Sequence, residues 1–211
     1  NDLNAIGIAL SNLQIQHFIT YYEMLVEKNK VMNLTAITDF DEVIEKHFED
    51  SLSLIQAVDL RKSQTVIDLG TGAGFPGIPL KIAFPELQIT LADSLNKRIL
   101  FLNDFIQKLE LERIETVHGR AEDLAKNAKY REQFDLCVSR AVANLSTLSE
   151  YCLPFVKIGG KFVSYKAGEC DEEVTASKSS VFLLGGKISD VKKFELGESK
   201  RAFVIIDKVS G

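Results

Sequence analysis

The stretch VIDLGTGAGFPG, Val66 to Gly77, decides the fold of this 211-residue chain. Its first half, TVIDLG from Thr65, is a short run rich in β-branched residues that stops at glycine. Its second half leads into PGIPLKIAF, which reads as a helix with Pro79 in the first turn. Gly70, Gly72 and Gly74 stand at alternate positions between them, where a chain needs tight turning and close backbone approach to a ligand. A strand, a glycine-rich turn and a helix in that order form the first half of a nucleotide-binding βαβ unit.

The alternation continues downstream. Strands are expected at Gln88–Asp93 (QITLAD), in IETVHG, at Phe134–Ser139 (FDLCVS) and at Gly159–Lys166 (GGKFVSYK). Helices are expected over 95–109, 121–130 and 144–156. Strands alternating with helices imply a largely parallel sheet. After a helix over 171–184, GGKISDVKKFEL and KRAFVIIDKV read as a terminal hairpin, so the last pair should be antiparallel. The sum is an α/β, Rossmann-like sheet of seven strands. Upstream, apolar residues recur at helical spacing over 13–27 and 40–55, with Asp39 placed to cap the second helix. The chain therefore divides into a helical N-terminal extension, 1–60, and an α/β domain, 61–211.

Composition narrows the function classes. Apolar residues make up 45% and charged residues 26%, which excludes wholesale disorder. There is no run of 18 apolar residues and no opening that reads as a signal peptide. Cys137, Cys152 and Cys170 are odd in number and widely spaced, unlike a disulfide framework or a zinc site. Neither a membrane nor a metal is expected, and the cytoplasm is the expected compartment. The net charge of −5 hides an asymmetry: residues 1–60 hold three basic and ten acidic side chains, leaving 22 basic and 20 acidic in the rest. The mildly positive larger body permits a nucleic-acid partner.

Two details of the glycine-rich turn bear on its ligand. Gly72, Gly74 and Gly77 satisfy the dinucleotide fingerprint G-x-G-x-x-G, so an NAD-dependent oxidoreductase is one reading. Asp68, however, puts a carboxylate on the strand itself, which suits a cationic, amine-bearing cofactor and opposes a pyrophosphate. Phe75-Pro76 also removes a donor at the helix start, where a pyrophosphate would want free N–H groups. Both favour S-adenosylmethionine. Asp93, at the end of the second strand, can accept ribose hydroxyls with either cofactor, and it or Ser94 would also serve as a helix cap. Ala121 and Glu122, after the third strand, offer a small apolar wall and an acceptor beside the expected adenine slot. Glu122 and Asp123 also suit a helix's first turn, a lesser reading.

Ser139–Val142 (SRAV) follows the fourth strand. Arg140 offers five donors for a phosphate, a cofactor carboxylate or the O6 edge of guanine. Lys97, Arg98, Arg120, Arg140 and Lys166 lie at or just after expected strand ends or begin the next segments, and those ends share one rim in a parallel sheet, so RNA phosphates are candidate partners. Independent solvated charges are the plainer reading. His17, His47 and His118 form no metal-ligand pattern.

These motifs together resemble the bacterial 16S rRNA guanine-N7 methyltransferase family, the glucose-inhibited division protein B family. The resemblance rests on NLTAI at Asn33–Ile37, KHFEDSL at Lys46–Leu52, DLGTGAGFPGIPL at Asp68–Leu80, DSLNKRILFL at Asp93–Leu102, GRAED at Gly119–Asp123 and SRAVANL at Ser139–Leu145. One departure is Lys28, where the family usually has tryptophan. The resemblance implies a class I methyltransferase fold with a helical N-terminal extension. It implies methyl transfer from S-adenosyl-L-methionine to N7 of a guanine in 16S rRNA, free or in the small ribosomal subunit. Cofactor contacts would come from Gly70, Phe75, Ala121, Glu122 and Arg140, with Asp68 and Asp93 as polar partners. Lys97, Arg98, Arg120 and Lys166 would meet RNA. His47 and Asp50 would join the extension to the rim of the active site. Arg140 would orient cofactor or base, with no general base required and a monomer sufficient. A non-catalytic RNA-binding or assembly protein on the same fold is the remaining alternative.

Overall fold

The computed structural model describes residues 2–211. Seven strands form one sheet in the order β3-β2-β1-β4-β5-β7-β6: β1 Thr65–Leu69, β2 Gln88–Asp93, β3 Ile114–His118, β4 Phe134–Ser139, β5 Val156–Ala167, β6 Gly186–Leu196 and β7 Ser199–Lys208. The first five pair in parallel. β7 inserts antiparallel between β5 and β6, closing the chain as the expected hairpin. β1 sits between β2 and β4, so the chain reverses its direction of travel there. That reversal opens a crevice beyond the carboxyl ends of β1 and β4.

Helices cover both faces, and strand alternation sorts the core. Val66, Leu136, Val138, Val163, Phe203 and Ile205 face one layer. Ile67, Cys137, Phe162, Val204 and Ile206 face the other. The first layer packs under α5 (Gly77–Ala83) and α6 (Asn96–Lys108), and under the N-terminal helices. The second packs under α8 (Leu145–Cys152) and α9 (Asp171–Leu183). Of the N-terminal helices, α1 spans Asp2–Ala5 and α2 spans Asn12–Asn29. A reciprocal box starts α2: the Ser11 side chain accepts from the Gln14 N–H, and the Gln14 side chain accepts from the Ser11 N–H. Phe18, Tyr21 and Leu25 bury its inner face.

The segment 40–55 is not the single amphipathic helix that its spacing predicts. It runs as α3 (Phe40–Val43), a π-helical turn (Ile44–Glu49), α4 (Asp50–Leu52) and a 3₁₀ turn (Ser53–Gln56). Asp39 caps it as expected, accepting from the Glu42 N–H at 3.2 Å. The π turn widens the ladder, with the Asp50 N–H reaching Glu45 O, and re-aims the following side chains. The helix expected over 121–130 stops after α7 (Ala121–Leu124). There the Asn127 side chain accepts from the Lys129 N–H and competes with the helical ladder. The helix expected over 144–156 gives way to a 3₁₀ turn at Leu153–Phe155, which contains Pro154. β5 begins earlier than expected, at Val156. Its register with β4 shifts near Phe134, and Gly159 absorbs the bend at φ +91°.

Candidate functional site

The glycine-rich turn crosses the crevice with φ of +71° at Gly70, +60° at Gly72 and +103° at Gly74. L side chains rarely adopt these values. Backbone and side chains then lock it. Gly70 and Thr71 both donate to Ala92 O, at 2.9 and 3.1 Å. The Gly72 N–H donates to Asp93 Oδ2 at 2.9 Å, and the other oxygen of Asp93 takes the Leu95 N–H at 2.9 Å. Tyr21 reaches across from α2 to donate to Ala73 O at 2.7 Å. Asp93 thus positions the turn besides facing the crevice.

Asp68 lies beneath the turn, fully buried. Its Oδ2 accepts from the Thr71 hydroxyl at 2.6 Å and from the Gly77 N–H at 2.8 Å. Its Oδ1 has no hydrogen-bond partner among the described residues. Burial pushes this carboxyl up to about 7, against the pull of those two hydrogen bonds and of Arg140. A buried, half-satisfied carboxylate favours a cation close by.

Beside the turn lies a cleft of about 510 Å³, within the size range of sites for small ligands. Gly70, Asp93, Ala121 and Glu122 line it, as does exposed Arg120, and Leu148 and Cys152 contribute apolar wall. Four of the expected cofactor residues therefore meet at one cleft. Asp68, Gly72, Gly74, Phe75 and Arg140 do not line it. Asp68 supports the turn from below. Gly74 sits where a Cβ would stand 2.8 Å from both Tyr21 Oη and Ile78 Cδ1. Phe75 turns toward the N-terminal segment, its ring stacked on His47 at 4.4 Å between centroids.

Arg140 ties that segment to the end of β4. Its Nε lies 3.3 Å from Asp50 Oδ2, and its guanidinium carbon 5.5 Å from the centre of the Phe75 ring. Its Nη atoms reach Ser51 Oγ at 3.4 Å, Lys46 O at 3.3 Å and His47 Nδ1 at 3.3 Å. His47 Nε2 meets the Thr35 hydroxyl at 2.8 Å. Burial and the Arg140 charge hold His47 down at about 4. The imidazole is therefore neutral, accepting at Nδ1 from the guanidinium and donating from Nε2.

The spacing of residues gave no sign of Arg201. It grips Asp50 through two bonds, 2.7 Å from Nε to Oδ1 and 3.1 Å from Nη2 to Oδ2. Nor did it single out Tyr165, whose hydroxyl donates to Ser51 O at 2.7 Å. Both lie more than a hundred residues from their partners, so no local pattern announces them.

The rim cations divide. Lys97 and Arg120 are exposed. Arg98 leans back to within 3.6 Å of Asp93. Lys166 is a correction: it is buried, donating to Ala143 O at 2.7 Å and pairing with Glu173 at 2.8 Å. A lysine so engaged is withdrawn from the rim and is not offered to a phosphate. Among the described residues no group of three or more His, Cys, Asp or Glu side chains would hold a metal, and no helix is long and apolar enough to cross a membrane. The three cysteines are free and buried.

Among solved structures, the fold is similar to a SAM-dependent methyltransferase from Aquifex aeolicus, with a TM-score of 0.60 at 17% identity over 86% of this chain and 97% of that one. It is also similar to M. jannaschii TYW2 in complex with AdoMet, with a TM-score of 0.63 at 13% identity over 82% of this chain and 80% of that one. These likenesses establish a class I methyltransferase fold. In sequence, the chain is 50% identical over 98% of its length to the ribosomal RNA small subunit methyltransferase G of Lachnoclostridium phytofermentans, spanning 86% of that protein. It is 52% identical over 98% of its length to the protein of the same name from an Exiguobacterium species, spanning 88% of it. The family model described as GidB, rRNA small subunit methyltransferase G, matches residues 14–204. The chain belongs to the GidB family of small-subunit ribosomal RNA methyltransferases.

Proposed function

We propose that the protein transfers a methyl group from S-adenosyl-L-methionine to N7 of one guanine in 16S rRNA, free or within the small ribosomal subunit. Family membership supports the substrate class. The observation that carries the cofactor reading is the buried carboxylate of Asp68 under a glycine turn, beside a cleft that also holds Asp93 and Glu122. A dinucleotide would place its pyrophosphate at the start of α5, over Asp68. That start offers Pro76, which has no N–H, and a Gly77 N–H already given to Asp68.

When bound, the cofactor supplies a methyl group on a cationic sulfonium for direct in-line displacement. Gly70 would let the backbone approach the ligand, Asp93 would take the ribose, and Ala121 and Glu122 would hold the adenine. Asp68 stabilises positive charge near the turn. Guanine N7 carries an available lone pair and loses no proton on attack, so the chain needs no general base. His47, held neutral and stacked on Phe75, serves as a support for Arg140. Arg140 orients cofactor or base, and catalysis comes from positioning and from electrostatic control. Lys97, Arg98 and Arg120 contribute positive charge toward RNA phosphates. We read residues 1–60 as the helical extension that carries the support, and residues 61–211 as the methyltransferase domain. The protein acts as a monomer in the cytoplasm, with no metal in the chemistry.

Equilibrium titration separates this reading from an NAD-dependent oxidoreductase. Saturable binding of S-adenosylmethionine without NAD binding is expected. Tight NAD binding with no S-adenosylmethionine binding would overturn it.

A further inference from the structure

Val142 stands two residues beyond Arg140, between Ala141 and Ala143, which both line the cleft. Its relative exposure is 102%, so it touches essentially nothing. An isolated exposed valine is ordinary on a protein surface, but the loop beneath this one is held on both sides. The Ala141 N–H donates to Ser139 Oγ at 3.2 Å, and Ala143 O accepts from the buried Lys166 at 2.7 Å. Glu173 binds both Lys166, at 2.8 Å, and the Leu145 N–H, at 2.7 Å. Asn144 caps α8 through the Ser146 N–H at 2.9 Å. Three buried or half-buried side chains, Ser139, Lys166 and Glu173, thus fix a tip whose one large apolar side chain is pushed into water.

We propose that Val142 is a wedge that enters the RNA base stack when the target guanine leaves it. This rests on the assignment of an rRNA guanine as substrate. A base methylated in a cleft must unstack from its neighbours. Apolar side chains that insert between bases hold such a gap open and cover the exposed faces. A valine on a pinned loop suits that task, because it loses little freedom on insertion and its apolar surface leaves water only there. Exposed Arg120 lines the same cleft as Ala141 and Ala143, and Arg140 stands two residues before Val142; they supply the phosphate and base-edge contacts that an aliphatic side chain cannot.

The test compares Val142→Ala and Val142→Phe with the unaltered protein. Methyl transfer is measured on a 16S rRNA transcript and on unmethylated small ribosomal subunits, and S-adenosylmethionine affinity by calorimetry. Val142→Ala is expected to lose about tenfold in kcat/KM on the preferred RNA, with cofactor affinity unchanged. Val142→Phe, which restores an apolar wedge, is expected to stay within about threefold of the unaltered protein. Equal rates for Val142→Ala and the unaltered protein would overturn the wedge. So would a loss matched by weaker cofactor binding, or one shared by Val142→Phe. If the unaltered protein transfers nothing to either RNA, the substrate assignment itself falls, an outcome distinct from the others.

Discussion

Asp50, in the N-terminal helical segment, and Arg140, after β4, are far apart in sequence and meet at 3.3 Å, with the aspartate 2% exposed. Arg201 completes the cluster from β7. One carboxylate therefore joins the N-terminal segment, the end of β4 and the terminal hairpin. The two guanidiniums keep partial access to water, with side chains 19% and 23% exposed, so their desolvation cost is lower than for a fully buried pair.

Asp50→Ala leaves two cations without their shared partner. Breaking a buried pair typically costs about 3–5 kcal/mol, and the partial exposure here lowers the expectation to about 2–3 kcal/mol. Denaturant unfolding should show that loss as a shifted midpoint with an unchanged slope. Methyl transfer should fall with it, because Arg140 loses its anchor.

His47 gives stability a pH dependence. Its folded value of about 4 lies below the ordinary 6.5, so the unfolded chain binds the proton more readily. This contribution is present above pH 6.5 and is lost as pH falls toward 4. Unfolding curves across that window should steepen their decline in the unaltered protein. His47→Asn should flatten that part of the profile. An identical profile in the two proteins would refute the neutral, stacked imidazole.

Two glycines of the turn should respond differently to alanine. At Gly77 a Cβ would lie 2.2 Å from Leu91 Cδ2 and 2.9 Å from Asp68 Oδ2, so α5 must shift. Such overpacking costs about 1–3 kcal/mol. At Gly72 nothing lies within 4 Å of a Cβ, and the cost is only that of a left-handed backbone, about 1–2 kcal/mol. Gly77→Ala should also weaken S-adenosylmethionine binding more, because it displaces the Asp68 carboxylate. Calorimetric titration of both variants checks the order.

Asp68 should couple cofactor affinity to pH. Its folded value, about 7, lies above the ordinary 3.8. In the empty site this carboxyl favours the folded state below pH 3.8, and that contribution is lost as pH rises through 7. A cationic cofactor prefers the ionised form. Affinity for S-adenosylmethionine should therefore rise as pH rises through 7. Asp68→Asn keeps an oxygen for Thr71 and Gly77, and should bind more weakly with no such rise. A pH-independent affinity in the unaltered protein would contradict the charge assigned to Asp68.

The strands, the terminal hairpin and the glycine turn were legible in the sequence because they rest on local patterns. Period-two runs marked β1 to β4 closely, and Asp39 announced its own cap. Resemblance linked His47 and Asp50 to the rim. The π turn was not legible, since helical spacing cannot distinguish a widened turn from a regular one. The inward turn of Lys166 depends on Glu173 and on the Ala143 carbonyl, which only the packing of α8 and α9 brings to it. The role of Asp68 was half visible. Its place on the strand is local pattern, but its aim under the turn is set by contacts with Thr71 and Gly77 that only the folded turn brings to it.

Methyl transfer to one guanine N7 can be read out at the nucleotide itself. The direct measurement incubates the protein with labelled S-adenosylmethionine and unmethylated small-subunit rRNA, then maps the product by strand scission specific for N7-methylguanine. Label at a single guanine, with scission at that position, is expected. Label without N7 scission, label scattered over many sites, or no label from protein that binds both cofactor and RNA would contradict it.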